Sequence, residues 1–129
     1  MLQPTTVRDM SVTLFRETYD SPCMIAPVGV QNIFHPDGEC GVAEVASQIG
    51  VPYITSTASS STLEEIAKAN GSGPRWFQLY WPQNKAVTES LLDRAKKAGY
   101  TTLIVTLDTW ALGWRPWDLV CRVLGRVPS

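Results

Sequence analysis

The sequence predicts a parallel α/β fold, and three observations carry that expectation. Short aromatic or β-branched runs alternate with amphipathic helical patterns along the chain. The runs lie roughly 25 to 29 residues apart, the interval of parallel strands joined by right-handed crossover helices. Each is flanked by Gly or Pro. A closed (β/α)8 barrel takes about 250 residues, about 31 per unit, so four such units make half a barrel or a small open sheet.

The first predicted core strand is Cys23 to Ala26, ended by Pro27. Ahead of it, Val12 to Phe15 reads as one extra short strand, and Arg16 to Ser21 as a polar turn. Asp37 to Ile49 places Val42, Val45, Ala46 and Ile49 at helical spacing, with Asp37 as N-cap. Pro52 to Thr55 is the second strand. Thr62 and Glu65 have the spacing of a capping box, which opens a helix with Leu63, Ile66 and Ala67 inward and Asn70-Gly71 as its stop. Arg75 to Tyr80 is the third strand. Asn84 to Ala98 is the third helix, with Val87, Leu91 and Ala95 inward, Lys96-Lys97 in its last turn and Gly99 as C-cap. Thr101 to Thr106 completes a βαβαβαβ order.

Composition narrows the function classes. Eleven Lys and Arg against twelve Asp and Glu give a net charge of -1, with no basic block to attract nucleic acid or an anionic membrane. No apolar run approaches the roughly 18 residues a membrane span needs, and no signal peptide is visible. Cys23, Cys40 and Cys121 are too few and too scattered for a disulfide framework or a structural zinc site. They are expected to be small buried hydrophobes in a reducing, cytoplasmic compartment. Gly71-Ser72-Gly73 precedes a strand instead of following one, so it lacks the context of a dinucleotide-binding turn, and no P-loop occurs. His35, the sole histidine, sits in the turn His35 to Glu39, where a structural role is expected over that of a general base.

In parallel α/β sheets ligands sit at the carboxyl ends of the strands. Those ends carry Pro27-Val28-Gly29-Val30-Gln31, the run Ser56 to Ser61, Gln78 with Tyr80, and Thr106, Asp108 and Arg115. Such groups can exchange directional hydrogen bonds with a heteroaromatic ring. The bland reading makes the Ser and Thr residues caps and turns, with Gln78 serving neighbouring backbone. An unpaired amide inside an aromatic strand costs about 1 to 3 kcal/mol, so Gln78 needs a dedicated partner.

Four segments, PVGVQNIFHPDGE, STASSSTLEE, RWFQLYWPQN and VTLDTWALGWRPWDL, together resemble the FMN-dependent α-hydroxy acid oxidases and dehydrogenases. The WALGWRPWDL ending and the PVGVQ form lean toward the lactate 2-monooxygenase-like branch. The resemblance implies a partial (β/α)8 barrel, four parallel strands with three helices, that binds FMN at the strand ends. It matches Pro27, Val28 and Gly29 to backbone along the flavin ring, and Ser56, Gln78 and Thr106 to flavin-contacting side chains. Tyr80 matches a tyrosine at the substrate hydroxyl, and Arg115 an arginine of a substrate-side loop. In the family a small 2-hydroxy acid gives its α-hydrogen and two electrons to FMN, assisted by a histidine base, and oxygen or another acceptor reoxidises the flavin.

The departures shape the expectation equally. The family's histidine base, a second arginine, a flavin-side lysine and the phosphate loops come from later strands, so the resemblance implies no catalytic residue in this chain; His35 does not match the base. Residues 1–119 are expected to be the first part of the FMN hydroxy acid dehydrogenase domain, with residues 120–129 a tail outside the family pattern, as in a truncated product inactive alone. Two other readings stand beside this one. A non-catalytic half-barrel could pair with another chain, or with its own copy, through its open sheet. A flavodoxin-like carrier is disfavoured because the loop after the first core strand lacks a Ser/Thr-rich phosphate cradle.

Overall fold

A computed structural model of the protein describes residues 8–109 together with Ala111, Gly113, Trp114 and Pro116. The described elements are β1 (Val12–Leu14), β2 (Glu17–Tyr19), a 3-10 turn (Gln31–Ile33), α1 (Gly38–Gln48), β3 (Tyr53–Thr55), α2 (Leu63–Asn70), β4 (Arg75–Tyr80), α3 (Lys85–Lys97) and β5 (Thr102–Thr106). β3, β4 and β5 form a parallel sheet in sequence order, and β1 with β2 forms a separate antiparallel hairpin. The sheet does not close on itself among the described residues, so the fold is the expected partial parallel α/β unit.

The two faces of the sheet have different partners because side chains alternate along a strand. Tyr53, Phe77 and Leu79 point to the helices. Tyr53 packs with Ala43, Ala46 and Ile66, and Phe77 and Leu79 pack with Leu63 and Ala95. On the opposite face Ile54 and Trp76 pack with Tyr19, flanked by Val12, Leu14 and Ile104, so the hairpin covers the N-terminal half of that face. Trp76 Nε1–H donates to Tyr19 Oη at 3.2 Å, and the edge of Phe15 lies against its ring at 5.7 Å between centroids. Further along the same face the next side chains are Ser56, Gln78, Tyr80 and Thr106. Alternation thus divides one face into an apolar half under the hairpin and a polar half at the strand ends.

Local signals held in several places. Thr62 accepts from the Glu65 N–H while Glu65 accepts from the Thr62 N–H, completing the capping box. Asn84 caps α3 by accepting from the Ala86 N–H at 2.9 Å. Arg75 reaches back to the carbonyls of Ala67, Gly71 and Ala98, which ties the last turns of α2 and α3 to the start of β4. Arg94 pairs with Glu64 through two hydrogen bonds of 2.8 and 2.7 Å, which links α3 to α2.

Other expectations need correction. The Cys23 to Ala26 strand is a single parallel bridge from Ile25 to Tyr53, and among the described residues this segment pairs on no other side. Arg16 to Ser21 is not simply a turn: it holds β2, and the hairpin turns at Phe15 and Arg16 with φ of 52° and 74°. These positive values normally select Asn-Gly, which hid the hairpin. On α1 the buried side chains are Glu39, Ala43 and Ala46, while Val45 and Ile49 are exposed. Small residues face the sheet because the helix packs close to it. On α3 Thr88 and Ala95 are buried and Val87 is exposed, one position round from the expected stripe. Cys23 is exposed and Cys40 half-buried, since Cys23 lies beside that weakly paired edge; Cys121 falls outside the described residues. Among the described residues no helix is long and apolar enough to cross a membrane.

Candidate functional site

The polar half of the sheet face is organised around Gln78, which is 1% exposed. Its Oε1 accepts from the Ser56 hydroxyl at 3.3 Å and from the Thr57 N–H at 3.1 Å. Its Nε2 donates to Thr106 Oγ1 at 2.8 Å. Ser56 Oγ in turn accepts from the Ala58 N–H at 3.1 Å. The dedicated partners that a buried amide needs are therefore supplied within the chain. A primary amide carries two N–H donors and a hydroxyl one. One Gln78 N–H and the Thr106 hydroxyl proton have no acceptor among the described residues.

Tyr80 follows Gln78 on the same face and stands opposite Thr106 in the strand register. It is 42% exposed and borders an open cavity of about 710 Å³ with Trp81, Thr106, Asp108 and Thr109. The β3 to β4 pairing is extended past its last ladder residue by Thr57, whose hydroxyl oxygen accepts from the Tyr80 N–H at 3.0 Å. Thr57 was one of several hydroxyls in a Ser/Thr run, and nothing in the run singled it out.

The loop after the first core segment lies against the loop after β3. Val30 N–H donates to Ala58 O at 3.0 Å, and a Cβ on Gly29 would stand 2.9 Å from Ala58 Cβ and 3.0 Å from Ala58 O. Only glycine allows this approach. Val30 holds φ 52°, a left-handed conformation that costs a β-branched residue about 1 to 3 kcal/mol. Pro27 and Val28 are exposed beside it. Gln31 Nε2 donates to Val28 O at 3.0 Å and to Tyr53 Oη at 3.3 Å, holding the loop from below. Gly29→Ala is expected to push the loops apart and lower stability by about 1 to 3 kcal/mol, the usual cost of overpacking. Urea unfolding checks this, and an unchanged midpoint would show that the loops slide freely.

Glu39, in the first turn of α1, joins the same two loops. Its Oε1 accepts from the Gln31 N–H at 3.0 Å and the Ser60 N–H at 2.7 Å, while Ser60 Oγ lies 2.9 and 2.7 Å from the two carboxylate oxygens. Ser61 Oγ adds a bond of 3.2 Å to Oε2. Burial pushes this carboxyl up, but the hydrogen bonds from Ser60 and Gln31 outweigh it and bring it down to about 2. Burial and the nearby Glu39 charge raise the Tyr53 phenol well above its usual value, so it stays protonated.

The structure brings Ser56, Gln78, Thr106 and Tyr80 to one end of one sheet face and sets Pro27, Val28 and Gly29 on the adjoining loop. Arg115 lies outside the described residues. His35 is in the exposed turn before α1, where its Nδ1 accepts from the Asp37 N–H at 3.2 Å. No cluster of three metal-ligating side chains occurs among the described residues.

Known proteins of similar sequence and fold identify the family. An FMN-dependent alpha-hydroxy acid dehydrogenase of Penicillium citrinum is 54% identical over 119 residues, covering 92% of this chain and 30% of that protein. An L-lactate oxidase of Lysinibacillus sphaericus is 42% identical, over 84% of this chain and 28% of its own length. The chain thus spans under a third of these relatives. A solved mandelate oxidase with (S)-2-phenylpropionate superposes with a TM-score of 0.86 at 38% identity, covering 99% of this chain and 37% of that one. The sequence model of FMN-dependent dehydrogenases matches residues 1–126, and the chain belongs to that family.

Proposed function

We propose that this chain forms the flavin-facing part of an oxidoreductase that oxidises small 2-hydroxy acids of the lactate type. The observation that carries this reading is the Ser56, Gln78 and Thr106 cluster beside a cavity bordered by Tyr80. The donor set suits FMN: a spare amide N–H on Gln78 and the hydroxyl of Thr106 can bind the carbonyl and nitrogen edge of a flavin. Pro27 to Gly29 would present backbone to the ring. When bound, FMN supplies the two-electron redox chemistry.

The chain's own residues supply orientation. Tyr80 can hydrogen-bond the substrate hydroxyl from the cavity wall, and Arg115 would pair with the carboxylate through its planar fork. The only histidine, His35, is occupied in its turn and is absent from the described lining of this cavity, so proton abstraction is assigned to no residue here. The chain by itself is accordingly expected to give no steady turnover.

The test is a full-length L-lactate oxidase carrying this chain in place of its matched segment. Tyr80→Phe is expected to lower kcat by about 10²-fold, at the low end for a positioned proton-handling group, while FMN stays bound. Arg115→Lys should mainly raise KM, because lysine keeps the charge and loses the two-point grip. Unchanged kinetics in both variants would remove the substrate roles.

A further inference from the structure

Glu39 is a buried carboxylate that neither borders the 710 Å³ cavity nor belongs to the Gln78 cluster, yet it binds both loops that frame the site. The geometry points to Glu39 as a positioning residue that locks segment 28–32 to segment 58–61 and so sets the spacing of the backbone that faces the flavin. This rests on the flavin-site reading above.

Three connections make the lock. Glu39 Oε1 takes one backbone N–H from each loop, Gln31 and Ser60. Ser60 Oγ, itself against the carboxylate, accepts from the Asn32 N–H at 3.1 Å. Val30 N–H and Ala58 O then close the seam, in the stretch where Val30 is held in left-handed backbone. A strained residue persists only where its surroundings over-determine it, and the carboxylate accepts a backbone N–H from each side. Helix α1 makes a firm base, because Ala43 and Ala46 on the same helix are fully buried against β3 and α2.

Two near-isosteric variants separate bridging from packing. In Glu39→Gln the amide oxygen can still accept from both N–H groups, and the Ser hydroxyls can turn to accept from its NH2. Glu39→Met fills the same space and accepts nothing. Amide hydrogen exchange of the 129-residue chain is read at Gln31, Ser60 and, as an interior reference, Leu79, together with FMN affinity by flavin fluorescence.

Glu39→Met is expected to speed exchange at Gln31 and Ser60 by about 10-fold or more, as loss of charge-assisted bonds implies, with Leu79 unchanged. It should weaken FMN binding by a similar factor, and Glu39→Gln should restore most of both. Equal behaviour of the two variants would reduce Glu39 to packing and overturn the proposal. Faster exchange with unaltered FMN affinity would overturn the positioning role. If the unaltered chain binds no FMN, the flavin measurements pass to the full-length chimera: a chimera that binds none sinks the flavin-site reading, and exchange still decides the lock. Should Glu39→Met expose Leu79 as well, Ser60→Ala takes its place. It keeps the amide bond and loses the hydroxyl ones, so intermediate exchange supports the lock and exchange identical to the unaltered chain rejects it.

Discussion

Trp76→Ala is expected to destabilise the chain by about 3 to 5 kcal/mol, the range for removing a large buried aromatic. Trp76 is 3% exposed and shares with Ile54 and Ile104 the contact between sheet and hairpin, with Tyr19 and Phe15 both edge-on to its ring. Its loss also strands the Tyr19 hydroxyl, whose partner is Trp76 Nε1. Unfolding followed by circular dichroism checks this against Trp81→Ala, which removes an exposed ring and should shift stability by about 0.5 kcal/mol or less. Similar midpoints for the two variants would mean that the hairpin does not anchor the apolar half of the face.

Gln78→Leu should lower stability and flavin affinity together. The substitution keeps approximate volume and deletes three hydrogen bonds. The hydroxyls of Ser56 and Thr106 can turn elsewhere, but the Thr57 N–H is fixed by the backbone and would be left part-buried and unpaired. The net cost is about 3 kcal/mol, or on the order of 10 °C in Tm for a chain of this size. In the full-length chimera the same variant should release FMN on dilution, because the remaining amide N–H offered to the ring is gone. A chimera that keeps its flavin would separate Gln78 from cofactor binding and leave it the structural role that its internal partners already support.

Gln78 also shows what a sequence can and cannot disclose about a site. Its polarity within RWFQLY marked it out, and the position of Ser56, Gln78 and Thr106 at the carboxyl ends of parallel strands grouped the three. The identity of its partners did not follow, because Ser56, Thr57 and Thr106 are 21 to 28 residues away, and only strand order and register bring them within reach. Glu39 was overlooked for the same reason. In the sequence it is one acidic residue near a helix start, where solvated charge is the common case; its partners Gln31 and Ser60 are 8 and 21 residues distant.

The sequence by itself determined the parallel α/β alternation, the bounds of β4 and α3 to within about a residue, the capping box at Thr62 and Glu65, and family membership. These rest on local chemistry: side-chain period, caps and short motifs. Tertiary structure alone decided which helix faces are buried, since close packing on the sheet selects Ala43 and Ala46 over the bulkier Val45 and Ile49. It also decided the hairpin at Phe15 and Arg16, whose positive φ values contradict their local preference. The covering of Trp76 by that hairpin, and the joining of two distant loops on one carboxylate, are long-range contacts that no window of neighbouring residues contains.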